Sequence, residues 1–145
     1  NGRPLHNYLH WESVKLDLHV NDVVRLTARR ADREVDLSVT SGDLPTTTAE
    51  KVTVLKDLEL VTLTPQIRAE RGVQSDRGAL IFRISRELSQ ATGLREGDVI
   101  VGMNRRRIAT ADDVREVVGV LKPRQALRLY FERGGSIAYT DLEFR

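Results

Sequence analysis

Two hydrophobic periods alternate along this chain. Val114, Val117, Val118 and Leu121 recur at i, i+3, i+4 and i+7, the spacing of a single helical stripe. Thr110 stands before them as a cap, Asp112 and Asp113 fall at the positive end of the helix dipole, and Pro123 stops the run. A helix is therefore predicted over Ala111–Leu121. The period then drops to two: Leu127-Arg128-Leu129-Tyr130-Phe131 alternates as a half-buried strand does, within a segment predicted as Ala126–Arg133. Gly134-Gly135 supplies the positive φ angles of a tight hairpin, and Ile137–Phe144 is the returning strand.

Upstream, Leu58 to Leu63 alternates as another strand, and Thr64-Pro65 gives an N-cap followed by proline at the first helical position. A short helix over Ile67–Arg71 ends at Gly72, and Gly78–Ile84 is predicted as a buried strand. Arg86–Thr92 is a second short helix with Gly93 as its left-handed end. Leu94 then drops into the core, Gly97-Asp98 turns the chain into the strand Val99-Ile100-Val101, and Asn104 opens a turn toward Ile108.

The opening residues repeat this ending. Placing Asn1 on Asn104 superposes Leu5 on Ile108, Val14 on Val117, Leu18 on Leu121, Leu26 on Leu129 and Arg30 on Arg133, with a small insertion at the hairpin turn. The first copy reads as a helical pattern through Leu18, a strand over Asp22–Arg30, a turn at Ala31-Asp32 and a strand over Glu34–Thr40. Its helix carries a bulkier apolar set, Tyr8, Leu9, Trp11 and Val14. A helix and one hairpin are too small a core to stand alone, so Trp11, Val14, Val24, Leu26 and Leu37 are expected to be partly exposed unless something covers them. Residues 44–57, with Pro45 and a threonine run, read as a linker to a complete domain over 58–145.

Composition changes this picture little. In 145 residues, 40% hydrophobic and 30% charged, the charges nearly cancel to +2, which gives no general attraction to nucleic acid or anionic membrane. Asn104-Arg105-Arg106-Arg107 and Arg133-Gly134-Gly135 read as turns, because aromatic residues total 5% and no basic stripe is interleaved with them. No apolar run approaches the roughly 18 residues of a membrane span. The absence of cysteine and the isolation of the three histidines argue against a thiolate zinc site or a histidine metal cluster, and no cofactor is expected. His6, His10 and Ser13, or His19 with Asp17, Asp22 and Ser41, have the residue types of a hydrolytic triad. They lack a nucleophile on a strained turn beside oxyanion donors, and a solvated helix surface accounts for them. The chain begins at Asn1 and reads as a piece of a longer protein.

The order ELVTLTPQI, RGALIFRIS, ATGLREGDVIVGMN, ADDVREVVGVL and a closing hairpin resembles a bacterial PDZ domain of the kind attached to HtrA/DegP-like serine proteases. The resemblance spans about Leu58 to Phe144, and its most specific piece is Gly93-Leu94 with Gly97-Asp98-Val99-Ile100 and Asn104. It implies a mixed α+β fold, mainly β: a PDZ-like partly open β-barrel or sandwich capped by two or three short helices. Residues 1–43 then resemble the back half of a preceding PDZ domain, a helix-hairpin unit.

The resemblance also implies a function. An exposed edge strand beside a helix lets an extended peptide join the sheet. Here that edge is expected at Leu60–Thr64, beside the Ala111–Leu121 helix. Leu60, Val61, Thr62, Leu63, Val114 and Val118 would form the groove, with Leu80 and Phe82 as its floor. These residues would also be apolar in any strand-on-helix core. The family holds a peptide's terminal carboxylate on a loop with glycine between two apolar residues, and Glu59-Leu60-Val61-Thr62 aligns with it. Val61 departs from that pattern: a β-branched residue resists the required backbone angles, and Glu59 adds a repelling charge. Lys56 is either a compensating charge or a solvated lysine. By resemblance, then, the region recruits unfolded or C-terminal peptide segments for a trypsin-type endopeptidase outside the cytoplasm, in the periplasm or cell envelope, and lacks the catalytic domain itself. The alternative is a structural pair of PDZ units that mediates assembly, with self-association through the half domain and the groove filled by its own chain or a neighbour.

Overall fold

The computed structural model describes residues 1–143; the Phe144 end of the last predicted strand lies outside them. The chain divides into two compact units, Asn1–Leu44 and Pro45–Arg145.

The first unit contains the helix α1 (Tyr8–Leu16) and the antiparallel pair β1 (Val23–Arg30) and β2 (Arg33–Thr40). Asn7 caps α1 by accepting the His10 N–H at 2.9 Å. Ala31 and Asp32 make the hairpin turn with φ of +47° and +26°, a conformation that a side chain resists. Val24 is buried, whereas β2 is exposed along its length. Tyr8, Leu9 and Leu16 on α1 are also exposed.

The second unit runs α2 (Pro45–Thr48), β3 (Lys51–Val54), β4 (Leu58–Thr62), α3 (Pro65–Arg71), β5 (Ala79–Ile84), α4 (Arg86–Thr92), β6 (Val99–Met103), β7 (Arg106–Arg107), α5 (Ala111–Gly119), β8 (Ala126–Arg133) and β9 (Ser136–Glu143). The sheet is open and antiparallel, in the order β3-β4-β5-β6-β8-β9, with β7 on β6. Two apolar layers sandwich it. One, built on Leu60, Ile81, Ile100, Met103, Val114 and Leu129, lies toward α5, and the other collects Val61, Leu63, Ile67, Leu80 and Val99.

The helix ends follow the side chains that satisfy them. Thr64 caps α3, Ser85 caps α4, and Gly72 and Gly93 close those helices at φ of +63° and +73°. Thr110 and Asp113 form a reciprocal capping box on α5. Two buried carboxylates tie loops to the sheet. Asp98 pairs with Arg133 at 2.6 Å, and Glu132 accepts the Gln74 and Ser75 N–H groups at 2.7 Å each. These hydrogen bonds hold the Glu132 carboxyl below its ordinary range although burial opposes them.

Two expectations are corrected here. Part of the segment read as a linker is built into this unit: Thr46 is buried and gives its N–H and hydroxyl to the Glu70 carboxylate at 2.9 and 2.5 Å, and β3 follows. The strand expected to be the edge is interior, because β4 pairs with β3 on one side and β5 on the other.

The internal repeat holds at a constant offset of 103 residues, so the turn needs no insertion. Tyr8 corresponds to Ala111, Val23–Arg30 to Ala126–Arg133 and Arg33–Thr40 to Ser136–Glu143. The correspondence extends to hydrogen bonds. Arg25 N–H donates to the Asn1 side chain and Arg128 N–H to the Asn104 side chain, while the nitrogens of Asn1 and Asn104 donate back to the Arg25 and Arg128 carbonyls.

Candidate strand-addition slot

The site is the channel between β4 and α5. β4 offers one face to α5 because strand side chains alternate, and Thr62 fixes the helix by accepting the Ala111 N–H at 3.0 Å. α5 in turn presents Val114 and Val118 to the same apolar layer. Its start is electrostatically secured. Asp113 accepts the Ala109 and Thr110 N–H groups, and these bonds hold its carboxyl below the ordinary range.

The channel is occupied by the chain itself. β3 lies antiparallel to β4, with Lys51, Val52, Thr53 and Val54 opposite Val61, Leu60, Glu59 and Leu58, and packs against α5. Val52 and Val54 enter the apolar layer and are 7% and 3% exposed. Lys51 points to the opposite face, its Nζ 4.8 Å from the Phe82 ring centroid. β3 therefore holds the position expected for an added strand, and its valines fill the side-chain positions.

The sequence-predicted residues divide between the two faces. Leu60, Thr62, Val114 and Val118 come together on the α5 side. Val61, Leu63, Leu80 and Phe82 belong to the other apolar layer, so Leu80 and Phe82 are not a groove floor; Ala79 and Ile81 take that place. A register shift between Glu59 and Leu60 sets this pairing and puts Ile81 opposite Leu60. Lys56 is exposed in the β3–β4 turn at φ of +61°, next to Leu55 at +55°. Val61 lies in the β4 ladder between Lys51 and Leu80. Val52 and Val54 were missed by sequence reasoning. Their signal was the alternation Lys-Val-Thr-Val, short enough to pass as linker.

At the end of the channel where β3 turns into β4, an apolar cleft of about 580 Å³ remains, walled by Val54, Leu58, Leu88, Val118, Leu127 and Leu142 among others. In the first unit a cleft of about 830 Å³ lies between α1 and β1, lined by Trp11, Val14, Leu18, Val24 and Leu26 with the opening residues.

The hydrolytic candidates have local structural roles. Ser41 donates its hydroxyl to the His19 carbonyl and accepts the Asp22 N–H at 3.0 Å, closing the base of the β1–β2 hairpin. His6 and His10 stack edge to face at 5.7 Å, and Ser13 donates to the His10 carbonyl. Arg106 is paired with Glu116 at 2.7 Å and Asp113 at 3.4 Å. No group of three or more potential ligands that could hold a metal ion occurs among the described residues, and none of their helices is long and apolar enough to cross a membrane.

Solved structures supply the comparison. The HtrA-type protease AlgW with a decapeptide superposes at a TM-score of 0.53 and 21% identity over 60% of this chain and 27% of that one. The HtrA3 PDZ domain bound to the phage-derived ligand FGRWV gives 0.52 and 22% over 65% of this chain and 84% of that one. AlgW with a tripeptide gives 0.51 and 22% over 60% and 29%. No protein-family model and no curated protein matches the chain. The fold is thus that of the PDZ domains of HtrA-type proteases. The stretch matched is little more than a quarter of the AlgW chain.

Proposed function

We propose that this chain is the PDZ region of an HtrA-like trypsin-type serine endopeptidase acting outside the cytoplasm, and that residues 45–145 take up extended polypeptide by strand addition between β4 and α5. The observation that carries this reading is β3. An antiparallel segment already lies against β4 with alternate side chains buried, which supports the reading that the same edge and apolar lining would receive a guest strand once β3 is displaced. The solved structures with similar folds bear a decapeptide, a tripeptide and a phage-derived ligand. Residues 1–44 are, in this reading, the back half of a preceding unit of the same kind, supported by the constant offset and the paired asparagine brackets. Titration with a peptide library carrying free-acid or amidated ends is the test. Equal binding of the two supports recognition of an internal strand, and binding lost on amidation supports capture of a C-terminal strand by its carboxylate.

A second reading is favoured by two observations, the filled channel and the open cleft of the first unit. In it the chain is a structural pair whose role is assembly, with the first unit's apolar face covered by a partner. Concentration-dependent mass in analytical ultracentrifugation, together with no binding from the peptide library, selects this reading.

A further inference from the structure

We propose that β3 is a tethered self-ligand, and that the guest it excludes is an internal extended segment with aliphatic β-branched residues at alternate positions. This deepens the strand-addition reading and rests on it. Three observations carry it. The readout comes from side chains, because Val52 and Val54 are buried against Leu58, Leu60 and the helix layer while Thr53 between them is exposed.

The second concerns the end of the strand. A free carboxylate has no place there: the chain runs on from Val54 through Leu55, Lys56 and Asp57, and the Asp57 carbonyl accepts the Ser85 N–H at 2.9 Å. A site whose resident strand continues past its last buried side chain suits the interior of a polypeptide rather than its terminus.

The third is that β3 is built as a flap. Its far anchor is Thr46, fixed to Glu70 and also accepting from Arg71 at 3.1 Å, and its near anchor is β4, held by β5. Between them, Leu55 and Lys56 both stand at positive φ without being glycine, a strained turn that weakens the closed arrangement. β3 can leave while both anchors stay. Closed, it competes as an intramolecular ligand at the high effective concentration that a short tether gives, so an outside peptide binds weakly until the flap is loosened.

The probe is a fluorescent, acetylated and amidated peptide with the sequence of residues 50–56, EKVTVLK, followed by anisotropy. The chain carrying Val52→Ser and Val54→Ser together should bind it about 10- to 100-fold more tightly than the unaltered chain. A Thr53→Cys, Glu59→Cys pair, opposite each other in the ladder, should lose binding when oxidised and regain it on reduction; this second variant keeps the test decisive if the serine variant fails to fold. Equal binding by the unaltered chain and a folded serine variant, or by the oxidised and reduced pair, overturns the self-ligand and leaves strand addition standing. No binding by any of these forms overturns both. A free-acid peptide ending at Val54 that binds tenfold more tightly than its amide overturns the internal-segment preference.

Discussion

Residues 1–40 and residues 104–143 are the same helix and hairpin at an offset of 103, and they differ in what lies against them. In the second copy Val114, Leu127, Leu129 and Phe131 are buried in one apolar layer with residues of β4, β5 and β6. Their counterparts Trp11, Val24, Leu26 and Ala28 include one buried residue, Val24. The repeat therefore separates what local sequence specifies from what burial adds. Caps, strands and turn arise from the segment alone, whereas a core needs the preceding half of the fold.

The largest expected effect breaks this contrast directly. Leu129→Ala should cost about 2–5 kcal/mol, while the equivalent Leu26→Ala should cost about 1 kcal/mol or less. Urea unfolding followed by far-ultraviolet dichroism measures the first, and Trp11, the chain's one tryptophan, reports the second by fluorescence. Equal losses would mean that the first unit's face is covered as well as the second's.

Next is Glu132, whose counterpart in the first copy is the exposed Arg29. Glu132→Gln should destabilise by about 1.5–3 kcal/mol, because the Gln74 and Ser75 N–H groups lose a charged acceptor. The folded-state carboxyls of Glu132, Glu70 and Asp113 are held below their ordinary values by hydrogen bonds and nearby cations. Their contribution is complete above the unfolded carboxylate range near pH 4.5 and is lost as pH falls through the lowered folded values. Melting temperature against pH should fall on the acid side, and less steeply in the Glu132→Gln variant.

The hairpin turns give a smaller effect of opposite sign. Ala31→Gly should stabilise the first unit by about 1 kcal/mol, and Gly134→Ala should destabilise the second by a similar amount, since both sites hold positive φ. Thermal melts of the two variants test this. The smallest change is expected on the α5 surface: Arg115→Ala breaks an exposed pair with Asp112 and should shift stability by about 0.5 kcal/mol or less.

Much of the fold was legible because it is encoded locally. α4 has its predicted bounds, Gly72 and Gly93 close their helices, and the repeat was visible from matched apolar positions. Of the expected groove residues, Leu60, Thr62, Val114 and Val118 do lie together on the α5 side of the sheet. Two things were not legible. β3 is four residues long, and its Val52 and Val54 acquire meaning when the strand meets α5. The face taken by Leu80 depends on pairing across the register shift at Glu59–Leu60, and neither strand carries that register alone. The small insertion expected at the first copy's hairpin turn is not needed, because Ala31-Asp32 adopts the tight turn at positive φ, at the cost of strain.

The central claim is that the channel between β4 and α5 accepts an extended strand and that β3 fills it. Residue-resolved amide hydrogen exchange on the intact chain tests it most directly. The β3–β4 ladder should be protected on both strands, with β3 opening more readily than the β4–β5 pairing. Exchange of Lys51–Val54 at the rate of unstructured chain, with β4 protected only where it meets β5, would contradict it.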